Sequence, residues 1–189
     1  IAIGSDGFAL ISYYDVTNSA LKVAHCTNID CSTKTSQTVD LDGDIGKQTS
    51  IVIGSDGYGL IGYFDDTSDD LKMAHCLNIS CSSWTIASPV TSAGAGDWNS
   101  MAVGTDGNAI VSYYDSFNGA LEIAHCSNVA CSAATSVDVD TSGGIVGQHT
   151  SITIGADGLP LVVYHDVTSR NLKAVHCSNP RCTPNVRAR

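Results

Sequence analysis

The chain repeats one pattern four times. A motif of glycine, a small residue, aspartate and glycine begins at Gly4, Gly54, Gly104 and Gly155, so the copies are spaced by 50, 50 and 51 residues. A fixed period of this length is typical of repeat proteins in which one unit cannot bury its hydrophobic face alone. The repeat therefore predicts a single array of four units, with approximate bounds 1–47, 48–97, 98–148 and 149–189.

Within each unit the hydrophobic residues alternate with a period of two, which indicates β-strands. In the first unit the candidate strands are residues 1–3, 10–14, 21–26 and 33–39. Asp6 and Gly7 separate the first two runs, and an Asp-Gly pair is a strong hairpin signal because glycine adopts a positive φ without penalty. Each unit is therefore predicted to form a four-stranded antiparallel sheet.

Eight cysteines recur as four pairs with the same spacing. If the members of a pair flank a hairpin loop, their Cβ atoms come within the roughly 3.5 to 4.5 Å that a disulfide requires. The predicted disulfides join Cys26 to Cys31, Cys76 to Cys81, Cys126 to Cys131 and Cys177 to Cys182. Such a set indicates an oxidising compartment, so we expect a secreted, periplasmic or cell-surface protein.

A metal site is the alternative interpretation of the cysteines, because a histidine precedes the first member of each pair: His25, His75, His125 and His176. Neighbouring strand residues point to opposite faces, so such a pair cannot easily bind one ion, and we expect neither metal nor cofactor there. Calcium is a separate candidate, because Asp40, Asp42 and Asp44 place alternate carboxylates in one loop without the closing bidentate acid. A solvated loop is the alternative.

Composition narrows the possible partners. The 19 acidic residues exceed the nine basic ones and give a formal charge of −10, which argues against nucleic acid and anionic membrane surfaces. No run approaches the ~20 apolar residues that span a bilayer, so we expect no membrane insertion. Asn78-Ile79-Ser80 forms a glycosylation sequon that matters only in a eukaryotic host.

Several motifs of the unit resemble those of known repeat families. In the second unit, residues 51–57 followed by residues 60–65 and by Leu71-Lys72 resemble the blade pattern of NHL-type and sialidase-like β-propellers. The sequence pattern SYYD…LKxAHC is similar to that of uncharacterised tandem repeats of secreted bacterial proteins. The resemblance implies an all-β fold, a β-propeller of four four-stranded antiparallel blades that forms a closed four-blade ring or part of a larger propeller. Ser5-Asp6-Gly7 is more compact than the sialidase Asp box, so sialidase activity is not implied.

Residues that differ between the units are the candidate ligand contacts. Gln48, Trp98 and His149 occupy one position just before each inner strand, and His165 replaces the Tyr or Phe of other units. In a propeller these side chains would line one mouth of the channel, together with the turn residues Asn18, Asp69, Asn118 and Arg170. Aromatic and polar groups on such a rim suit a sugar or a peptide. Packing of Trp98 beneath a loop is the alternative.

Recurrent residues favour structural roles instead. A tyrosine and a strand-ending aspartate occur in every unit: Tyr13, Tyr63, Tyr113 and Tyr164 with Asp15, Asp65, Asp115 and Asp166. We expect the aspartate to accept hydrogen bonds from the turn and the tyrosine to fill the space between blades.

The sequence thus predicts an extracellular, non-catalytic binding module, with glycan recognition at the rim as the first hypothesis. No nucleophile elbow, phosphate-binding loop or zinc-hydrolase helix is visible, so we do not expect an enzyme. A structural protein that assembles with copies of itself is the alternative, and a glycoside-active enzyme fragment is the second alternative. The expected partner is a glycan, a protein ligand or another copy of the chain.

Overall fold

The computed structural model describes residues 1–183, which form four antiparallel β-sheets in chain order. Blade 1 contains β1 (Ala2–Ile3), β2 (Ala9–Asp15), β3 (Ala20–Cys26) and β4 (Lys34–Asp40). Blade 2 contains β5 (Ile45–Ile53), β6 (Gly59–Asp65), β7 (Asp70–Cys76) and β8 (Trp84–Val90). Blade 3 contains β9 (Asp97–Val103), β10 (Ala109–Asp115), β11 (Ala120–Cys126) and β12 (Ala134–Asp140). Blade 4 contains β13 (Val146–Ile154), β14 (Pro160–Asp166) and β15 (Asn171–His176).

The predicted all-β fold is confirmed, with one difference in the last blade. Three sheets have four strands each, whereas the described part of blade 4 has three. The outer strand predicted for that unit would follow residue 183 and lies outside the described residues. Among residues 1–183 no helix is long and apolar enough to cross a membrane.

The turn sequences explain why each hairpin forms. Gly7 has a φ of 82° and donates its N–H to the Gly4 carbonyl at 2.9 Å, while Asp6 accepts the N–H of Phe8 at 3.1 Å. At the opposite end of the hairpin, Asp15 accepts the N–H of Thr17 at 3.0 Å. The turn role predicted for the strand-ending aspartates is thereby confirmed, since Asp65, Asp115 and Asp166 also accept N–H groups from their own turns.

The blades pack face to face in chain order around their first strands. β5 contacts β9, and β9 contacts β13, so these strands lie next to the axis. Alternate residues of a strand point to opposite faces. We call the face toward the next blade the forward face and the other the backward face. Leu10, Leu21 and Val23 of blade 1 point forward and pack against Ile61 and Tyr63 of blade 2, which point backward. Equivalent residues form two further cores between the later blades, as in a β-propeller.

All four predicted disulfides are present. Their Cα atoms are 4.7 to 4.9 Å apart, and none of the cysteines is free. Three of the four disulfides contribute to the cores between blades, where Cys76, Cys126 and Cys177 are buried. Four disulfides indicate an oxidising compartment.

The two end faces of the array do not meet. Leu172 on the forward face of blade 4 and Ile1 on the backward face of blade 1 are both largely exposed, and no extended packing joins the two blades within the described chain. Of the two predicted arrangements, the structure therefore does not show the closed four-blade ring. Within residues 1–183, the backward face of blade 1 and the forward face of blade 4 are therefore uncovered.

Candidate functional site

A backbone irregularity recurs where the first strand of three blades begins. Gln48, Trp98 and His149 have φ values of 51°, 53° and 51°, and the strand register shifts at each of these positions. A positive φ is unfavourable for residues other than glycine. A β-bulge at such a residue changes the direction of its side chain. The three residues that vary between units therefore point away from the regular sheet at the same end of the blades.

Two of these side chains meet across the boundary between blades 3 and 4. The rings of Trp98 and His149 have centroids 3.7 Å apart and are inclined by 49°. The ring of His165 follows, 6.3 Å from His149. We call Trp98, His149 and His165 the ring cluster. The Trp98 side chain is half-buried against these rings, so the structure does not show it packed beneath a loop.

Polar groups from blade 2 and blade 3 border the ring cluster. The side-chain carbonyl of Gln48 accepts a hydrogen bond from the N–H of Trp98. The side-chain amide of Asn99 donates to the main-chain carbonyl of Gln48 at 2.8 Å and to the main-chain carbonyl of Gly96 at 3.1 Å. The other end of this amide, Oδ1, is buried and has no hydrogen-bond partner within the described chain. This acceptor lies inside the boundary between blades 2 and 3, beside Gly62, and not on the surface of the site.

The sequence analysis did not identify Asn99, although two residues that contact each other differ together at this blade boundary. Ser12 bonds Thr49 across the first blade boundary at 2.7 Å, and Ser112 bonds Thr150 across the third at 2.8 Å. At the second boundary both partners differ, because Gly62 replaces the serine and Asn99 replaces the threonine. A Cβ at residue 62 would lie 3.2 Å from Asn99 Oδ1, so the glycine leaves the space that the larger asparagine uses.

Asp97 supplies a carboxylate beside the ring cluster. Burial raises its pKa, and the negative charge of Asp66 acts in the same direction. Hydrogen bonds from Gln48 and the Trp98 N–H, together with the charge of His149, lower the pKa but do not reverse the shift. This acid is consequently held closer to its neutral form than an exposed aspartate would be.

A second polar group lies at the start of β5. The Lys47 ammonium donates to Asp44 and Asp66, both at 2.7 Å, and Asp44 also accepts the hydroxyl of Tyr14 at 2.5 Å. The hydrogen bonds from Lys47 and Tyr14 lower the pKa of Asp44. The pKa of this carboxylate at the start of β5 is thus shifted in the direction opposite to that of Asp97.

The predicted turn residues lie at the same end of the blades but outside the ring cluster. Asn18 and Asn118 donate from their amides to Asp15 and Asp115 at 2.8 and 2.7 Å, so they close their own turns. Asp69 and Arg170 occupy left-handed positions in the equivalent turns, with φ values of 56° and 58°. The structure thus brings together Gln48, Trp98, His149 and His165 and leaves the turn residues apart.

The calcium candidates are not brought together. Asp40 accepts the Tyr63 hydroxyl and pairs with Lys72, whereas Asp44 is engaged with Lys47 and Tyr14. Asp42 is exposed. Nowhere in residues 1–183 do three or more His, Cys, Asp or Glu side chains form a group that could hold a metal ion.

The recurrent histidines have a partner that the sequence analysis did not identify. His25 Nε2 lies 2.9 Å from Asp6, and the same pairing joins His75 to Asp56 at 2.8 Å. The later units repeat it between His125 and Asp106 and between His176 and Asp157. Each pair ties the third strand to the first turn of its own blade, which is a structural role.

Comparison with known proteins gives a likeness of fold. No protein-family model matches the chain, and no curated protein matches its sequence. Among solved structures, a protein of unknown function from Dyadobacter fermentans matches 91% of this chain with a TM-score of 0.71 and 14% identity. The intramolecular trans-sialidase of Ruminococcus gnavus matches 88% with a TM-score of 0.60 and 17% identity. The exo-beta-1,3-galactanase of Phanerochaete chrysosporium matches 96% with a TM-score of 0.62 and 10% identity.

The matches cover only part of these larger chains. They extend over 50%, 38% and 49% of the three structures, respectively. At such identities the likeness concerns the β-propeller fold alone. The chain spans about half the length, or less, of the structures that it resembles.

Proposed function

We propose that this chain is an extracellular, non-catalytic carbohydrate-binding module and that the ring cluster binds the glycan. The observation that carries the proposal is the contact between Trp98 and His149 on two bulged strands, at 3.7 Å between ring centroids. Aromatic faces suit the C–H face of a sugar ring, and the adjoining Gln48 and Asp97 offer hydrogen-bonding groups to its hydroxyls. Structural neighbours named as a trans-sialidase and a galactanase support a carbohydrate ligand.

The charges around the site favour a neutral glycan. Lys47 is paired with Asp44 and Asp66, the charge of Asp66 also acts on Asp97, and the whole chain carries a formal charge of −10. An anionic sugar would meet this negative field, whereas a neutral hexose would not. We therefore expect binding of galactose-type oligosaccharides in preference to sialylated ones.

Titration calorimetry with β-1,3-galactotriose and with a sialylated trisaccharide tests the proposal. The Trp98→Ala variant should weaken binding of the neutral sugar at least tenfold, which corresponds to about 1.4 kcal/mol. Trp84→Ala is the matched control, because the chain has only two tryptophans and Trp84 lies on β8 of blade 2, outside the ring cluster. If a broad glycan array gives no ligand, or if both variants bind equally well, the proposal fails.

A glycoside-active enzyme is the second candidate, and one observation favours it. The pKa of Asp97 is raised while that of Asp44 is lowered, and glycoside hydrolysis uses two carboxyl groups whose pKa values differ. Turnover of an aryl-glycoside panel that disappears in Asp97→Asn would establish catalysis and overturn the non-catalytic proposal. Unchanged sugar binding without turnover would support the binding module.

A further inference from the structure

The three boundaries between blades are built from one pair of complementary faces. Forward-facing Leu21, Leu71 and Leu121 are fully buried against the blade that follows. Backward-facing Ile51, Met101 and Ile152 are buried against the blade that precedes. Any forward face of this chain therefore has the shape and apolar character that a backward face accepts.

Within residues 1–183, no blade covers the forward face of blade 4. Leu172 occupies the position of Leu21, Leu71 and Leu121 but is 79% exposed. Leu161 and Val163 on the neighbouring strand are exposed as well, whereas Leu10, Leu60 and Ile110 at the position of Leu161 are buried. A surface cleft of about 440 Å³ beside Leu161 and His176 continues this face.

The backward face of blade 1 is likewise not covered by another blade within residues 1–183. Ile1 occupies the position of Ile51 and is 77% exposed, and Ile3 beside it is exposed too. Ile29, in the disulfide loop, is 93% exposed, whereas its counterpart Ile79 is 38% exposed and lines a pocket with Asp6 and His25 of the preceding blade. The later blades thus bury the counterparts of Ile1 and cover part of Ile79.

We propose that the forward face of blade 4 binds the backward face of blade 1 in a second copy of this chain. The occupant is a second copy because each copy carries both halves of an interface that the molecule already forms three times within itself. Contact between two different surfaces is heterologous, so it produces a closed ring if the rotation permits and a chain of copies otherwise. Burial of the exposed leucines and isoleucines drives the association.

This contact lacks one stabilising element of the internal boundaries. Tyr63 and Lys72 of blade 2 bind Asp40 of blade 1, at 2.8 and 2.9 Å, respectively. Tyr13 and Lys22 take the equivalent positions in blade 1, and the described part of blade 4 has no outer strand to supply such an aspartate. We therefore expect the contact between copies to be weaker than the boundaries within one chain.

Sedimentation velocity of the intact, oxidised chain over a 100-fold range of concentration tests the proposal. The wild type should shift reversibly to larger species as concentration rises. Leu172→Glu and Ile29→Glu should each remain monomeric, and their strong exposure means that neither substitution disturbs the fold. Phe117→Glu is the matched control, because Phe117 is 78% exposed on neither end face, and it should assemble like the wild type.

Mixing the two variants distinguishes a heterologous contact from any other. Leu172→Glu retains an intact backward face and Ile29→Glu retains an intact forward face, so a 1:1 mixture should form dimers and nothing larger. A wild type that stays monomeric throughout would overturn the proposal. So would assembly that persists in either single variant, because the contact would then use other surfaces. Val163→Glu gives an independent second test of the blade 4 face.

Discussion

The hydroxyl of Tyr113 donates a hydrogen bond to Glu122 on the neighbouring strand of the same blade. The equivalent tyrosines act differently, since Tyr63 donates to Asp40 and Tyr164 donates to Asp140, each in the preceding blade. Blade 2 has Val90 where the other blades have Asp40 and Asp140. Glu122 replaces the lysine of the other units, so the acid lost from one blade is supplied by the next.

We expect Glu122 to make stability depend on pH. Burial raises the pKa of Glu122 to about 7 in the folded chain, above its ordinary value of 4.5. Because the folded state then holds this proton more tightly than the unfolded state, Glu122 stabilises the fold most at low pH. Its contribution falls as pH rises from about 4.5 through 7, by about 1 to 3 kcal/mol.

Denaturant unfolding of the wild type and of Glu122→Gln between pH 4.5 and 8 measures this effect. The glutamine cannot ionise, so its stability relative to the wild type should increase across that range. The same difference at every pH would contradict the expectation.

Removal of one tyrosine hydroxyl should destabilise the boundary between blades 1 and 2. Tyr63→Phe leaves the buried Asp40 with Lys72 but without the 2.8 Å hydrogen bond from the phenol, and we expect a loss of about 1 to 2 kcal/mol. Tyr13→Phe is the matched control, because the Tyr13 side chain is exposed and its hydroxyl makes no hydrogen bond within residues 1–183. Urea unfolding should show little change for the control, and equal losses in both variants would refute the argument.

The residues at positions 62 and 99 differ together from the other units, so we expect substitutions at these two positions to be strongly coupled in their effect on the free energy of unfolding. A Cβ at residue 62 would lie 2.9 Å from Met101 Sδ and 3.2 Å from Asn99 Oδ1, so Gly62→Ser alone should destabilise by about 1 to 3 kcal/mol. Adding Asn99→Thr recreates the serine–threonine pair of the other boundaries and should recover part of that loss. A double-mutant cycle measures the recovery, and strictly additive effects would contradict it.

The four disulfides should differ in their resistance to reductant. Cys31 is partly exposed on the uncovered backward face of blade 1, whereas Cys81, Cys131 and Cys182 are buried in the cores between blades. A thiolate must reach the sulfur that it attacks, so Cys26–Cys31 should open first. Alkylation after mild reduction, followed by peptide mass spectrometry, gives the order. Simultaneous reduction of all four disulfides would show that exposure does not decide the order of reduction.

Local patterns predicted most of the fold. Period-two alternation and Asp-Gly turns located the sheets, and the cysteine spacing identified all four disulfides. The early part of β5 was missed, because the bulge at Gln48 interrupts the alternation on which strand prediction depends. Similarly, the four His–Asp pairs join residues 19 apart, a distance that no local pattern encodes.

The candidate site could be predicted only in part. Gln48, Trp98 and His149 were chosen as candidate ligand contacts because they differ between units that are otherwise similar. The contact between Trp98 and His149 depends on the packing of two blades, and the pKa of Asp97 is raised by burial. Neither property belongs to a single unit, so sequence comparison between the units could not reveal it.

The compensation between Val90 and Glu122 also bears on how such a gene can change. Nearly identical repeats recombine readily, and loss or gain of one copy leaves the reading frame and the sheet pattern intact. Deleting the third repeat would set Tyr164 and Lys173 against Val90, where the acid they now use is absent. Repeats that look interchangeable are therefore not equivalent, because the acid that the second copy lacks is supplied by the third.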